Sequence, residues 1–286
     1  MERQNKPAWI TGAGGLIGQY LVQTAPQIAP HWPVLALTRR QLDLLDFDAV
    51  RRAFQHDQPQ LIIHCAAITG IAEAQADPAL AQRVNVGITS LLAELAVESQ
   101  FVFFSTDLVF DGQTGHYRET DAVNPVHVYG ETKAAAERIV LKNPRHLVVR
   151  TSLNGGISRA GNRGFNEQMR LAWKSGRKIK LFTDEFRCPI FAGETARAVW
   201  ELAAHKCAGM FHVAGAERLS RWQMGQLLAR RWPELKADIE PGSVADFPGP
   251  PRVPDASLDI SKVQNFLSRP LPGLTGWLAA NSHEPF

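Results

Sequence analysis

Cysteine is scarce in this chain of 286 residues: Cys65, Cys188 and Cys207 are the only three. They are too few and too scattered for a disulfide framework or a cysteine-based zinc site, which fits a reducing cytoplasm. Long hydrophobic runs are also missing. The start, Met1-Glu2-Arg3-Gln4-Asn5-Lys6, leads straight into a short apolar segment and a glycine turn with no small-residue cleavage site, so neither a targeting signal nor a membrane span is expected. Charge of one sign is not in excess. The net charge of +3 is too small to imply a nucleic-acid partner. The nine histidines show no metal-ligand spacing and none accompanies a nucleophile motif, so no metal site is expected and each is read as a core or surface residue. No internal repeat is evident, and the low-complexity content is limited to Pro248-Gly249-Pro250-Pro251.

What the chain does have is a series of short apolar runs: Ala8-Trp9-Ile10, Val34-Leu35-Ala36-Leu37, Leu61-Ile62-Ile63, Phe101-Val102-Phe103-Phe104 and Leu147-Val148-Val149. They do not alternate in polarity, as expected of parallel strands covered by helices on both faces. Between the third and fourth runs, Asp77 and Pro78 offer an N-cap and a first-turn proline, and Leu80, Val84, Ile88, Leu91 and Leu95 keep helical spacing, predicting one long crossover helix. The fold class is therefore α/β, a doubly wound parallel sheet of the Rossmann kind with its ligand at the carboxyl ends of the strands. Beyond Arg150 the alternation fades. A helix is predicted over 165–174, a returning strand at Gly209-Met210-Phe211-His212-Val213, and a Ser220/Gln223 capping box for a helix through Leu228. These pieces predict a smaller, discontinuous substrate-binding lobe, residues 151–188 and 219–286, beside a nucleotide-binding domain of residues 1–150 and 189–218.

Two motifs carry chemistry. Gly12-Ala13-Gly14-Gly15-Leu16-Ile17-Gly18 follows the first strand and opens a helix, where Gly12, Gly15 and Gly18 let backbone amides approach a pyrophosphate. At the end of the second strand, where an acidic residue would select NAD, stands Thr38-Arg39-Arg40. An arginine there can fork onto a 2′-phosphate, so NADP(H) is preferred over NAD(H), which is not excluded. Asp43, a little further on, could contact the adenine or cap the next helix. The second motif is Tyr129-Gly130-Glu131-Thr132-Lys133. Tyrosine and lysine four apart share one helical face, where the ammonium is expected to draw the phenol pKa down from about 10 and make a proton donor. Thr106 ends the fourth strand, either as a capping residue or with its hydroxyl turned to a substrate carbonyl. Glycine turn, threonine, tyrosine and lysine in this order read as hydride transfer.

With these residues the chain resembles the extended short-chain dehydrogenase/reductase superfamily and, within it, the dTDP-4-dehydrorhamnose reductase family. The likeness runs over nearly the whole length. It rests on the glycine turn, Cys65-Ala66-Ala67, Asn85-Val86, Ser105-Thr106-Asp107-Leu108-Val109-Phe110-Asp111-Gly112, Tyr129-x-x-x-Lys133, Arg150-Thr151-Ser152, Asp184-Glu185-Phe186-Arg187-Cys188-Pro189 and Ser257-Leu258-Asp259. The resemblance implies a Thr106, Tyr129 and Lys133 triad reducing the 4-keto group of a nucleotide-linked 6-deoxysugar. It implies cofactor contacts at Gly12, Gly15, Leu16, Ile17, Gly18, Arg39, Arg40, Asp43, Leu44, Ala66, Ala67, Tyr129 and Lys133, and substrate contacts at Thr106, Asp107, Leu153 and Arg187. The chain departs from the family at Leu153, where a sugar-packing tryptophan is usual, at His64, where asparagine is usual, and at Ile190 in place of threonine. These changes leave the hydride machinery and alter the pocket. Two rivals remain. A sugar-nucleotide epimerase with bound NAD fits the same motifs, whereas a dehydratase is disfavoured because Leu108 stands where a glutamate is needed. The other is a non-catalytic, NADP-binding regulatory subunit like the methionine adenosyltransferase β subunit, which the chain also resembles. A homodimer is compatible with everything in the sequence.

Overall fold

The computed structural model describes residues 6–284 and 286. At its centre six strands lie parallel to one another. They are β1 (Ala8–Thr11), β2 (Val34–Leu37), β3 (Leu61–His64), β4 (Gln100–Thr106), β5 (Leu147–Thr151) and β6 (Gly209–Val213), standing in the spatial order β6-β5-β4-β3-β1-β2. Ala8 faces Val34 on one side and Leu61 on the other, so the chain winds outward from β1 to β2 and then returns to β3. That reversal opens a crevice beyond the carboxyl ends of β1 and β3, the place where a doubly wound sheet binds ligands.

The apolar runs do not alternate because both faces are covered. Ile10, Leu61, Ile63, Val102, Phe104, Leu147 and Val149 enter one core, with Leu21 and Ala25 of the helix Leu16–Ile28 and Val199 and Trp200 of the helix Ala192–Ala204. Trp9, Ile62, Phe101, Phe103 and Val148, one residue out of step, enter the other, with Val50, Leu91, Leu92, Ala136 and Val140. Successive strand side chains point to opposite faces, so each short run supplies two layers at once.

The crossover differs from the single helix its spacing predicts. Asp77 does cap it, accepting from Leu80 N–H at 2.9 Å, but Pro78–Gln82 passes into a π-helical turn, Arg83–Gly87, before Ile88–Leu95. Such turns gather at functional sites, and this one presents Asn85 inward. The helix that follows Asp43, Phe47–Asp57, is capped by Asp46, which accepts from Ala49 N–H at 2.9 Å; Asp43 therefore does not cap it. Past β5 a third core forms from Phe165, Met169 and Trp173 of the helix Phe165–Lys174, Met224 and Leu228 of the helix Arg221–Arg231, and Leu274, Trp277 and Leu278 of the helix Leu274–Ala280. The Ser220/Gln223 capping box is present. Between these pieces the chain returns to the sheet, where Leu258, Ile260, Val263 and Leu271 join the first core.

Candidate active site

The helix Val128–Val140 carries Tyr129 and Lys133 on its buried side. What sets its place is Gly130: a Cβ there would lie 2.3 Å from Leu108 O, so only glycine allows the helix to press against the loop leaving β4. That contact brings the Thr106–Leu108 segment to Tyr129. Asn85 locks the other side. It accepts from Ile68 N–H at 2.9 Å and donates to Ile68 O at 3.1 Å and to Thr132 Oγ1 at 3.0 Å, tying the π-turn and the loop after β3 to the helix.

The electrostatics correct the expectation drawn from spacing. Burial raises the Tyr129 phenol pKa above its usual range; the Thr106 side chain opposes the rise and the Asp107 carboxylate adds to it. The Lys133 ammonium does not offset this, because burial also pushes the lysine down to about 7 against the pull of Glu137 and Cys65. Both groups sit in low dielectric, where desolvation exceeds the help of a neighbour. The Lys133 Nζ rests 4.0 Å from the centre of the Phe103 ring.

Thr106 is a capping residue: its Oγ1 accepts from Leu108 N–H at 3.2 Å and caps a short 3-10 turn, and the residue stands on the cleft wall. Asp107 is almost wholly buried. It accepts from Ser152 Oγ at 2.6 Å and lies 3.7 Å from Arg187 Nε.

One cleft of about 870 Å³ takes in nearly every residue nominated from the sequence. Gly12, Gly15, Leu16, Ile17, Gly18, Arg39, Asp43, Leu44, Ala66 and Ala67 line one end, and Thr106, Asp107, Tyr129, Lys133, Leu153 and Arg187 the other. Arg40 is not on its wall. Arg39 is highly exposed and lies 3.7 Å from Asp43, whose carboxylate also accepts from Leu45 N–H. The glycine end suits a dinucleotide. Gly12 has φ +68°, and a Cβ on it would lie 2.6 Å from Ala66 N. The helix it leads into has Gly15 as its N-cap and so no side-chain cap, which leaves its first-turn amides to an anion.

Several residues of this region were not found from sequence. Glu137, one turn after Lys133, accepts from Arg150 Nε at 2.9 Å and NH2 at 2.8 Å and from Ser105 Oγ at 2.5 Å, with the pair about 4% exposed. Its i+4 position from Lys133 was a readable signal. Glu185, fully buried, is met by Arg221, Arg252 and Arg187 at 2.9, 2.5 and 3.4 Å. Burial favours its neutral form, yet these arginines outweigh that and hold its pKa at about 2. Arg163, Gln168, Arg221 and Arg252 also stand on the cleft wall. His64, in contrast, is a core residue: its Nδ1 lies 2.6 Å from Thr11 Oγ1 and its ring stacks on Phe101 and Phe103.

The family model described as RmlD substrate binding domain matches residues 8–277. The chain belongs to that family. It is 31% identical to a dTDP-4-dehydrorhamnose reductase of Aggregatibacter actinomycetemcomitans over 89% of this chain and 91% of that one. It is 27% identical to the methionine adenosyltransferase 2 subunit beta of Bos taurus over 91% and 82%. The crystal structure of a dTDP-4-dehydrorhamnose reductase from Clostridium acetobutylicum superposes with a TM-score of 0.87 at 26% identity, covering 96% of this chain and 97% of that one. The motifs from the glycine turn to Asp259 thus lie within one family match.

Proposed function

We propose that this family member is an NADPH-dependent reductase of the 4-keto group of a nucleotide-linked 6-deoxysugar. The observation that carries the reading is the single cleft with the glycine turn at one end and Thr106, Tyr129 and Lys133 at the other. Gly12 to Gly18, Ala66 and Ala67 would hold the dinucleotide and Arg39 its 2′-phosphate. NADPH, when bound, supplies the hydride. Tyr129 gives its proton to the carbonyl oxygen as the carbon is reduced, and a phenol kept protonated by burial is in the right form to do so. Thr106 hydrogen-bonds the same oxygen and steadies the developing negative charge. Lys133, poised near neutrality, orients the nicotinamide ribose and the tyrosine. Arg221 and Arg252, held by Glu185, face the cleft as a diphosphate grip, while Leu153 lines the sugar side and Asp107 fixes Ser152 and Arg187. The division into 1–150 with 189–218 and 151–188 with 219–286 follows this separation of cofactor and substrate ends, with 258–271 docked back on the sheet. The three unpaired cysteines fit a cytoplasmic setting.

The test is NADPH oxidation with a panel of nucleotide-linked 4-keto-6-deoxysugars, using simple ketones as controls. Tyr129→Phe keeps the ring packing and NADPH binding but lowers turnover by about a hundred- to ten-thousandfold. Turnover near wild type in Tyr129→Phe would refute the assignment. The likeness to a β subunit favours a second reading, a regulatory subunit that binds NADP without turnover. A wild-type chain inert across the panel that co-purifies with a larger catalytic subunit is the result that selects it.

A further inference from the structure

His127 stands two residues before Tyr129 as the N-cap of the catalytic helix. Its Nδ1 lies 3.1 Å from Gly130 N, and that amide can only donate. Nδ1 is therefore an unprotonated acceptor, and the ring proton sits on Nε2. The side chain is 4% exposed, yet Nε2 has no hydrogen-bond partner among the described residues. A buried donor left unserved costs about 1 to 3 kcal/mol, so such an atom calls for an occupant. His127 lines the cleft with Tyr129, Thr106, Asp107 and Arg187, and its ring centre is 6.2 Å from that of Tyr129 at an interplanar angle of 25°.

We propose that His127 is a substrate-binding residue whose Nε2–H donates to the hydroxyl oxygen on the carbon next to the reacting ketone, the 3-hydroxyl of a 4-ketosugar. The inference rests on the ketosugar reading above. With the carbonyl at Tyr129, the imidazole ring beside it is placed to serve an oxygen on the adjoining carbon. The neutral imidazole suits this task. Burial is the main cause that disfavours the imidazolium and the Arg187 charge adds to it, outweighing the pull of the residue's own backbone and of Glu131 and Asp107, and a proton on Nδ1 would break the cap. One ring thus fixes the start of the helix that holds Tyr129 and reads the group beside the ketone.

His127→Ser separates the two roles, because serine caps a helix well but carries no donor that reaches as far. With dTDP-4-keto-6-deoxyglucose, kcat/KM of His127→Ser should fall about tenfold, chiefly through KM, while the NADPH Kd and the Tm stay at wild-type values. The 3-deoxy analogue should be reduced as poorly by wild type as by the variant. An equal loss on both substrates, or no loss on either, overturns the proposal and leaves His127 a cap alone. Should wild type oxidise no NADPH with any ketosugar, the reductase reading fails separately. Calorimetric titration of dTDP-glucose and its 3-deoxy analogue into the NADP-loaded proteins then decides on His127, since only a donor makes the variant weaker for the first and equal for the second.

Discussion

Lys133 shows at the scale of one residue how placement differs from chemistry. The spacing to Tyr129 was plain in the sequence, but the burial that drives the lysine down was not, because it needs Phe103 of β4 and the chain after β3 packed against the helix, with Cys65 and Glu137 only opposing it. The ordinary lysine value is 10.5 and the folded one about 7, so the sign of its effect on stability is fixed. Below pH 7 both folded and unfolded chains carry the proton and folding bears the whole desolvation cost. Between 7 and 10.5 the unfolded chain alone holds it, so the cost shrinks as pH rises, and above 10.5 it is gone. Lys133→Met should therefore be more stable than wild type by a few kcal/mol, on the order of the shift at about 1.36 kcal/mol per unit, at pH 6, with the advantage fading towards pH 10.5. Denaturant unfolding at a series of pH values checks this, and an advantage that grows with pH contradicts it. The same variant should lose most of its turnover. A stability gain coupled to lost activity would mark Lys133 as a group kept for function.

Single elements were legible where one segment's own pattern decides them. The strand runs, the Asp77 cap and the Ser220/Gln223 box depend on residues a few positions apart. The π-turn at 83–87 was not legible, since the apolar spacing from Leu80 to Leu95 continues through it, and its cause lies in Asn85 bonding to Ile68 and Thr132, 17 and 47 positions away. The Glu137–Arg150 pair joins the helix Val128–Val140 to β5 in the same long-range manner. Both its charges are out of water and well matched in geometry, so removing one strands the other. Glu137→Gln or Arg150→Met should each cost about 3 to 5 kcal/mol, whereas Glu137→Leu combined with Arg150→Met should recover much of it. Urea unfolding of the three variants tests the claim. Additive losses in the double variant would mean that the pair is not coupled.

At the scale of the whole molecule the cleft has two ends with different charges to meet, and they differ in how they could be read. The glycine turn and Arg39 lie within 28 positions of one another, and their meeting on one cleft was visible from the sequence. Of the arginine cluster on the far side only Arg187 was, because Glu185, Arg187, Arg221 and Arg252 converge only when the chain beyond β5 has folded on itself and on the sheet. Opposite selectivities follow. Arg39→Ala should weaken NADPH about tenfold or more while NADH binding changes little, because only the former carries a 2′-phosphate to lose a charge-assisted bond. Arg221→Gln and Arg252→Gln should leave both cofactors almost unaffected and weaken a nucleotide diphosphate-sugar by a similar factor, with a shallower dependence on salt than wild type because fewer charges are screened. Glutamine keeps a polar contact with Glu185, which limits collapse of the cluster. Titration of NADPH, NADH and dTDP-glucose into the three variants gives the full matrix. If Arg221→Gln and Arg252→Gln weaken NADPH as much as the sugar nucleotide, the cluster serves the cleft as scaffold alone, and the diphosphate must be held elsewhere.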